Sequence, residues 1–555
     1  MSDEVTVLPA SAAEELAGIL QQIRDKKTDG IAALRSLLDC FPNSPEIVGH
    51  LAYALAYGGD HAGSLELLRR HLTLLPGNME TRWRMGDRLI ALGRLDEALE
   101  AYRDVLRDYP DCLDAEMGVR YVHHLQRTSR SGVERYVPEP KPPTGEQEEN
   151  CALCRQEFDQ QRLRLRSLPT NLHLESTTKC NFCCRTCTKG YGPYYAEDLH
   201  PDILEKVRRE VMPTNLAITI SGFGEPTMSL RFDEVFQMAL ANGSKISFIT
   251  NGSLLNWRRI EWLTRYPVDV AISIDGATRE TFESVRTGSN FERTLETFAM
   301  IKKLNDIYFP RTFGCSFLFV ALQKNIHELP EVVRMAHRYN INRVAVADYA
   351  FTHTAFDEQS LRFDPQKANR YFQEAREVAE QLGVCLLLPP LYAETAPPPP
   401  STSLWEKIKR SSRLFPQRKR FPRRCPSPWI EPYIRTDGKV RPCCASSYVL
   451  GDLKKNRFEE IWNGWRYRLL RWRIHSWLPP FDCRCCFVHW GINGGNAGNI
   501  MAKEGLLLKG YYFLALRAKG LRERLQNKLS RLVGRGKGPG EPAPNFDRGR
   551  PIPTK

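Results

Sequence analysis

The 555-residue chain has no apolar run long enough to cross a bilayer, so a membrane-spanning helix is not expected. No secretory signal peptide is expected at its start either. Acidic residues are in short supply: 65 Asp and Glu face 79 Lys and Arg, a net charge of +14. The shortage is local. Lys407–Arg424 carries nine basic residues and no acidic one, and residues 503–537 carry ten against Glu504 and Glu523. Together these segments hold a net +17, which leaves the remainder near neutral. Charge alone would admit a nucleic-acid partner, but no nucleic-acid-binding motif accompanies it and none is expected to bind. A disulfide framework is excluded by distribution, since twelve of the sixteen cysteines crowd into residues 151–187 and 425–486. Crowded thiols suit metal ligation in a reducing compartment, so a cytoplasmic location is expected.

The first crowd holds Cys180, Cys184 and Cys187 on one stretch, Glu175-Ser-Thr-Thr-Lys-Cys-Asn-Phe-Cys-Cys-Arg-Thr-Cys187. Three thiolates at such spacing suit three irons of a cubane 4Fe–4S cluster and leave the fourth iron open to a ligand. A zinc site or free thiols are the plain alternatives. Downstream, short β-like runs alternate with helical patterns, which predicts βαβ units and a parallel sheet. Leu216-Ala-Ile-Thr-Ile-Ser-Gly-Phe-Gly-Glu-Pro-Thr227 reads as a strand entering a glycine turn that ends in a carboxylate. Glycines let the backbone approach a ligand closely there. Ile246–Gly252 reads as strand then turn, Val268–Gly276 as a strand ending in Ser-x-Asp-Gly, and further strands are expected at Gly314–Val320 and Arg343–Asp348.

The C-x3-C-x2-C spacing with these ordered motifs resembles the radical S-adenosylmethionine (SAM) superfamily over roughly Leu172–Leu388. The resemblance implies a partial (β/α)6 barrel over residues 166–395, SAM on the open iron, and functional residues at the C-terminal strand ends. By position it implies SAM-binding roles for Gly222, Gly224, Glu225, Pro226, Thr250, Asn251, Ser273 and Asp275. Glu225 is expected at an ammonium group, with Ser273 and Asp275 near a ribose. Phe223 stands where the family usually has a first glycine. Thr186 stands where it usually has an aromatic residue that stacks on adenine, and Phe182 is the substitute expected. A reductant such as flavodoxin or ferredoxin is the implied electron donor.

The second crowd begins at Cys425-Pro-Ser-Pro-Trp429. Twelve residues separate Cys425 from Gly438, four separate Gly438 from Cys443, and Cys483 and Cys486 follow as C-x2-C. With Gly451-Asp-Leu453 and Glu460-Ile-Trp-Asn463 between them, this resembles the first half of a SPASM domain, here expected over residues 420–495. No cysteine lies beyond Cys486, so the resemblance implies the shortened, one-cluster twitch form with Cys425, Cys443, Cys483 and Cys486 as ligands. A structural zinc is the alternative. Cys444 and Cys485 sit beside these ligands in register. Cys151-Ala-Leu-Cys154 is a lone C-x2-C and reads as free thiols.

Ahead of all this, Pro42, Pro76 and Pro110 recur every 34 residues, with Leu51-Ala52 and Met85-Gly86, Ser64 and Ala98, and Leu68 and Tyr102 in register. The period resembles the tetratricopeptide repeat, expected over residues 1–137 as an all-α solenoid that packs mainly on itself and holds a peptide or protein. A linker is expected at 138–165. Leu514, Ala518, Leu521, Leu525, Leu529 and Leu532 form a helical stripe flanked by Arg517, Lys519, Arg522, Arg524, Lys528 and Arg531. This basic amphipathic helix, expected at 500–533, suits an anionic membrane surface or an acidic partner. A disordered tail is expected at 534–555. The expected activity is reductive SAM cleavage followed by oxidation or cross-linking of a peptide C–H site. A carbohydrate or cell-envelope substrate is the alternative, and a non-catalytic repeat scaffold a distant third.

Overall fold

The computed structural model describes residues 5–24, 30–130, 141–187, 195–309, 314–348, 357–392 and 425–476, with Pro480 and Cys483. Cys485 and Cys486, both basic runs, the C-terminal helix and the tail lie outside the described residues.

Seven helices come first: α1 (Ala10–Arg24), α2 (Ile31–Cys40), α3 (Pro45–Tyr57), α4 (His61–Leu74), α5 (Met79–Ala91), α6 (Leu95–Asp108) and α7 (Leu113–Arg130). Pro42, Pro76 and Pro110 fall in the turns after α2, α4 and α6, where a missing N–H costs nothing. Ser44, Asp60 and Asn78 cap α3, α4 and α5 by accepting from backbone N–H groups three residues on. Tyr102 of α6 is wedged between two glycines: a Cβ would come within 2.6 Å of its ring at Gly86 and 2.4 Å at Gly118. Gly86 of the repeat pattern, and Gly118 opposite it, are therefore needed for ring clearance.

Residues 145–159, expected within a linker, form α8 (Gly145–Asp159). A Thr144/Gln147 capping box starts it, and Gln147 Nε2 donates to the Asn215 and Asn242 carbonyls. Helix α8 is thereby fastened beneath the sheet.

The sheet has ten strands: β1 (Asn171–Leu174), β2 (Ala217–Ile220), β3 (Lys245–Thr250), β4 (Val268–Ser273), β5 (Gly314–Ala321), β6 (Arg343–Asp348), β7 (Cys385–Leu387), β8 (Tyr433–Ile434), β9 (Lys439–Arg441) and β10 (Gly451–Asp452). Their order is β10-β9-β8-β1-β2-β3-β4-β5-β6-β7, with β1 to β7 parallel. Helices separate the strands: α9 (Pro201–Glu210), α10 (Phe232–Ala241), α11 (Trp257–Arg265), α12 (Arg279–Val285), α13 (Phe291–Tyr308), α14 (Leu329–Arg338) and α15 (Pro365–Leu382). The six expected β-then-α units are present, followed by a seventh parallel strand. Leu172, Leu174, Ile218, Ile220, Ile246, Phe248, Phe317 and Phe319 are each 1% exposed or less, which places the core against the strands.

Strand β8 adds to the free edge of β1, and the β8–β9–β10 meander carries the second cysteine crowd. Gly438 turns from β8 to β9 at φ +82°, a left-handed conformation that glycine adopts without strain. Asn463 brackets Leu165 with two backbone hydrogen bonds, and Trp462 Nε1 donates to the Ser167 carbonyl. The Glu-Ile-Trp-Asn motif therefore fastens this segment to the chain that enters β1.

The helices of the repeat region pack chiefly on one another, and α5 and α7 also dock on α13. Lys303 of α13 is fully buried and pairs with Asp87 of α5 at 2.9 Å. Arg120 of α7 meets Glu296 of α13 at 2.6 Å, and the Tyr121 hydroxyl donates to Glu261 of α11. Lys302 of α13 also pairs with Asp114 of α7.

Candidate active site

The cysteine loop leaves β1 at the C-terminal edge of the parallel strands. Its fold is set by backbone bonds to its neighbours. Cys183 N donates to the Thr287 carbonyl, Arg185 N to the Val285 carbonyl, and Cys187 N to the Cys184 carbonyl. Asn181 Nδ2 reaches Ser253 Oγ, while Asn251 Nδ2 reaches Asn181 Oδ1, both at 2.9 Å. Cys180, Cys184 and Cys187 each keep part of their surface.

The glycine turn after β2 docks directly onto this loop. Glu225 N donates to the Lys179 carbonyl at 2.7 Å. A Cβ at Gly224 would lie 2.4 Å from the Thr177 carbonyl oxygen, and one at Gly222 would strike the Glu175 side chain at 2.5 Å. Only glycine lets the two segments approach so closely. Gly222 is exposed and Gly224 half-buried, so backbone at this turn faces open space beside the thiols.

Several expected cofactor contacts are spent inside the protein. The Glu225 carboxylate is buried and accepts from Thr227 N, Thr227 Oγ1, Thr250 Oγ1 and Asn251 N. Three of these donors meet Oε1 and one meets Oε2, so the carboxylate ties the turn to the end of β3. Thr250 and Asn251 are likewise committed, locking the end of β3 to the turn. Pro226 is buried and begins a single 3-10 turn, Pro226–Met228. Ser273, the last residue of β4, is 7% exposed. Asp275 is fully buried, accepts from Val320 N at 2.8 Å and pairs with Arg286 at 2.9 Å. Burial pushes its carboxyl up while Arg286 pulls it down. Asp275 thus stands in a buried ion pair at the end of β4. Phe182 is only 5% exposed, because the loop turns it inward, so it presents no open face to an adenine.

Arg286 has a second use. Its Nη1 points at Cys184 Sγ from 3.9 Å. Burial pushes the Cys184 thiol up to about 11, and Arg286 acts against that rise. A nearby guanidinium favours thiolate, the form in which cysteine binds iron. Among the described residues no three His, Cys, Asp or Glu side chains are grouped closely enough to hold one metal ion. The donor set fits a three-thiolate cluster site: half-exposed thiols on one loop, a charge-balancing arginine, and glycine backbone alongside.

Sequence reasoning did not assign Glu175 a role. It is fully buried at the junction of three segments. One oxygen accepts from Phe223 N at 3.1 Å and the Tyr433 hydroxyl at 3.0 Å; the other faces Thr436 and Arg435. The available signal was a carboxylate ending a buried strand just before the cysteines, but its partners on β8 are some 260 positions away, Tyr433 being 258 residues on.

In the second crowd, Cys425 and Cys443 are half-buried, as is Cys483; Cys486 lies outside the described residues. Cys425 N donates to His475 Nε2 at 2.9 Å, and the His475 ring stacks on Trp429 at 5.5 Å. Cys154, expected as a free thiol, is in no disulfide and is buried on α8. Its Sγ donates to the Trp429 carbonyl at 3.2 Å, and burial pushes it up to about 11. Cys154 is a structural contact under the cysteine-bearing meander.

A cysteine loop clasped to a glycine turn on the C-terminal edge of a parallel sheet defines a class. The chain matches the model of the radical SAM superfamily over residues 174–336 and that of the SPASM iron-sulfur cluster-binding domain over 425–487. A tetratricopeptide-repeat model matches residues 84–124. These segments imply a SAM-binding 4Fe–4S cluster and an auxiliary cluster site. Among individual proteins, the chain is 29% identical to the mycofactocin maturase MftC of Mycobacterium tuberculosis over 178 residues, 31% of this chain and 42% of the relative. It thus spans less than half the length of that relative. It is 23% identical over 334 residues to the PqqA peptide cyclase of Bradyrhizobium diazoefficiens, 58% of this chain and 79% of that one. A crystal structure of Streptococcus suis SuiB bound to S-adenosylmethionine aligns with a TM-score of 0.42 at 16% identity, covering 65% of this chain and 83% of that chain.

Proposed function

We propose that the chain is a radical SAM peptide maturase, which uses SAM to open a C–H bond of a peptide or protein side chain. The observation that carries this reading is the clasp between the cysteine loop and the Gly222–Glu225 turn. It sets three thiols beside exposed backbone at one point on the sheet edge. The peptide part rests on two relatives whose names state a maturase and a peptide cyclase.

Cys180, Cys184 and Cys187 would hold the SAM-binding cluster, and Cys425, Cys443, Cys483 and Cys486 the auxiliary one. A bound cluster of this class supplies the electron that cleaves SAM to a 5′-deoxyadenosyl radical. The chain's own part is positioning. Arg286 balances thiolate charge at Cys184, Gly222 and Gly224 give SAM a backbone edge, and Glu225 with Thr250 and Asn251 keeps that edge rigid. Glu175 carries the rigidity across to the meander that bears the second cysteine set.

Anaerobic reconstitution with iron, sulfide, reductant and SAM tests the reading. About eight irons per chain are expected for two four-iron clusters, along with 5′-deoxyadenosine. Replacing Cys180, Cys184 and Cys187 together by Ala should remove about half the iron and all SAM cleavage. Cleavage that survives the triple replacement would overturn the assignment.

A further inference from the structure

A cleft of about 560 Å³ opens between α7 and the starts of α11 and α13. Arg120, His123 and Arg127 line it from α7, and Trp257, Arg293 and Glu296 from the other side. Helices α11 and α13 follow β3 and β4, so their first turns lie at the C-terminal edge, as the cysteine loop does. Arg293 donates to the Ser253 and Leu255 carbonyls, and Ser253 Oγ accepts from Asn181 of that loop. One wall of the cleft thus braces the segment that holds the cysteines. The other wall is the last helix of the repeat region.

Charge in the cleft is uneven. Glu296 is the one acidic lining residue, shared between Arg120 and Arg293. Arg127 and His123 are exposed, and Arg127 makes no ion pair among the described residues. Arg120 is also paired with Glu116 at 2.7 Å, so the cationic excess of the cleft rests on Arg127, and with the positive end of α11 alongside it favours an anionic occupant. The volume suits a few residues of peptide rather than a folded domain. We infer that this cleft docks an acidic segment of the substrate peptide, holding it beside the sheet edge where the reacting residue must arrive. The inference rests on the peptide reading above. It names the recognition element: Asp- or Glu-rich sequence, read by α7 and α13 together.

The test uses the full chain, loaded with iron and sulfide, and two labelled probes: a decaglutamate peptide and a decaglutamine peptide. Decaglutamate should bind with an affinity that falls as salt rises, because screening shortens the reach of charge; decaglutamine should not bind. Arg127→Glu should weaken decaglutamate binding about tenfold or more, whereas Arg107→Glu on the exposed face of α6 should not. Because both basic runs could also attract decaglutamate, the peptide carries a terminal photo-crosslinker. Adducts on α7 or the start of α13 are expected; adducts confined to 407–424 or 503–537 would overturn the inference. So would equal binding by Arg127→Glu, or decaglutamine binding as tightly as decaglutamate. Uncoupled 5′-deoxyadenosine formation separates the two readings: its absence in the parent protein sinks the enzyme assignment, while its persistence in Arg127→Glu with unchanged peptide binding sinks only the cleft.

Discussion

Glu175 and Glu225 hold the site together because each is a buried carboxylate bound by several segments. A buried carboxylate persists only when donors replace its water, and each of these has its donors from different segments. Tyr433→Phe should remove one donor to Glu175 and cost about 1 kcal/mol; Glu175→Gln should cost about 1–3 kcal/mol. Denaturant midpoints of the two single variants and the double should show coupling rather than additivity; additive losses would mean the pair does not act as one contact. His173 offers a pH test. Burial holds its imidazole down to about 4, and Nε2 lies 2.8 Å from Ser221 Oγ at the start of the glycine turn. The folded-state value lies below the unfolded one, so the unfolded chain binds the extra proton first. Stability from neutral His173 is fully present above about pH 6.5 and is lost as pH falls toward 4, by up to on the order of 3 kcal/mol. His173→Gln, which keeps a donor near Nε2, should flatten that part of the thermal-melting profile between pH 6.5 and 4. An unchanged slope would assign the acid sensitivity elsewhere.

At the scale of elements, the clasp between loop and turn is a matter of clearance. A Cβ at Gly224 meets backbone carbonyl oxygens of Thr177 and Lys179, which have no rotamer to yield. Gly224→Ala should therefore separate the segments and abolish SAM cleavage while leaving iron at Cys425, Cys443, Cys483 and Cys486, measured as about half the parent iron content. Retained cleavage would show that the loop tolerates the shift. The alternation of strands and helices and the order of the motifs were legible because both are local: period, glycine turns and cysteine spacing all fall within a dozen residues. The protein partners of Glu225 and Asp275 were not legible for the same reason. Each stands at a strand end where ligand contact is expected, yet Thr250, Asn251, Val320 and Arg286 arrive from other segments and use their oxygens first. The helix at 145–159 was hidden by a proline-rich start, and its docking depends on carbonyls of Asn215 and Asn242 that no local pattern announces.

At the scale of the whole molecule, the helical region and the sheet are joined by buried charge. Lys303 has no exposed surface; its ammonium meets Asp87 at 2.9 Å and lies 4.6 Å from the Trp83 ring centre and 5.2 Å from that of Tyr102. All three partners belong to α5 and α6. A 34-residue period reports how repeats stack but not what their flank covers, so this junction was invisible in the pattern. Breaking one side of a buried pair leaves the other charge without water or partner and typically costs about 3–5 kcal/mol, whereas replacing both with apolar groups of similar volume is often near neutral. Lys303→Met should therefore lower stability steeply, and adding Asp87→Leu should recover much of the loss. Removing residues 1–137 would strip Lys303 of every partner named here and Lys302 of Asp114. That truncation should yield a destabilised, aggregation-prone chain, and adding Lys303→Met to the truncated chain should improve its soluble yield. A truncated chain that melts at the parent temperature would show that the sheet carries its own stability and that the ion pair only aligns the repeats.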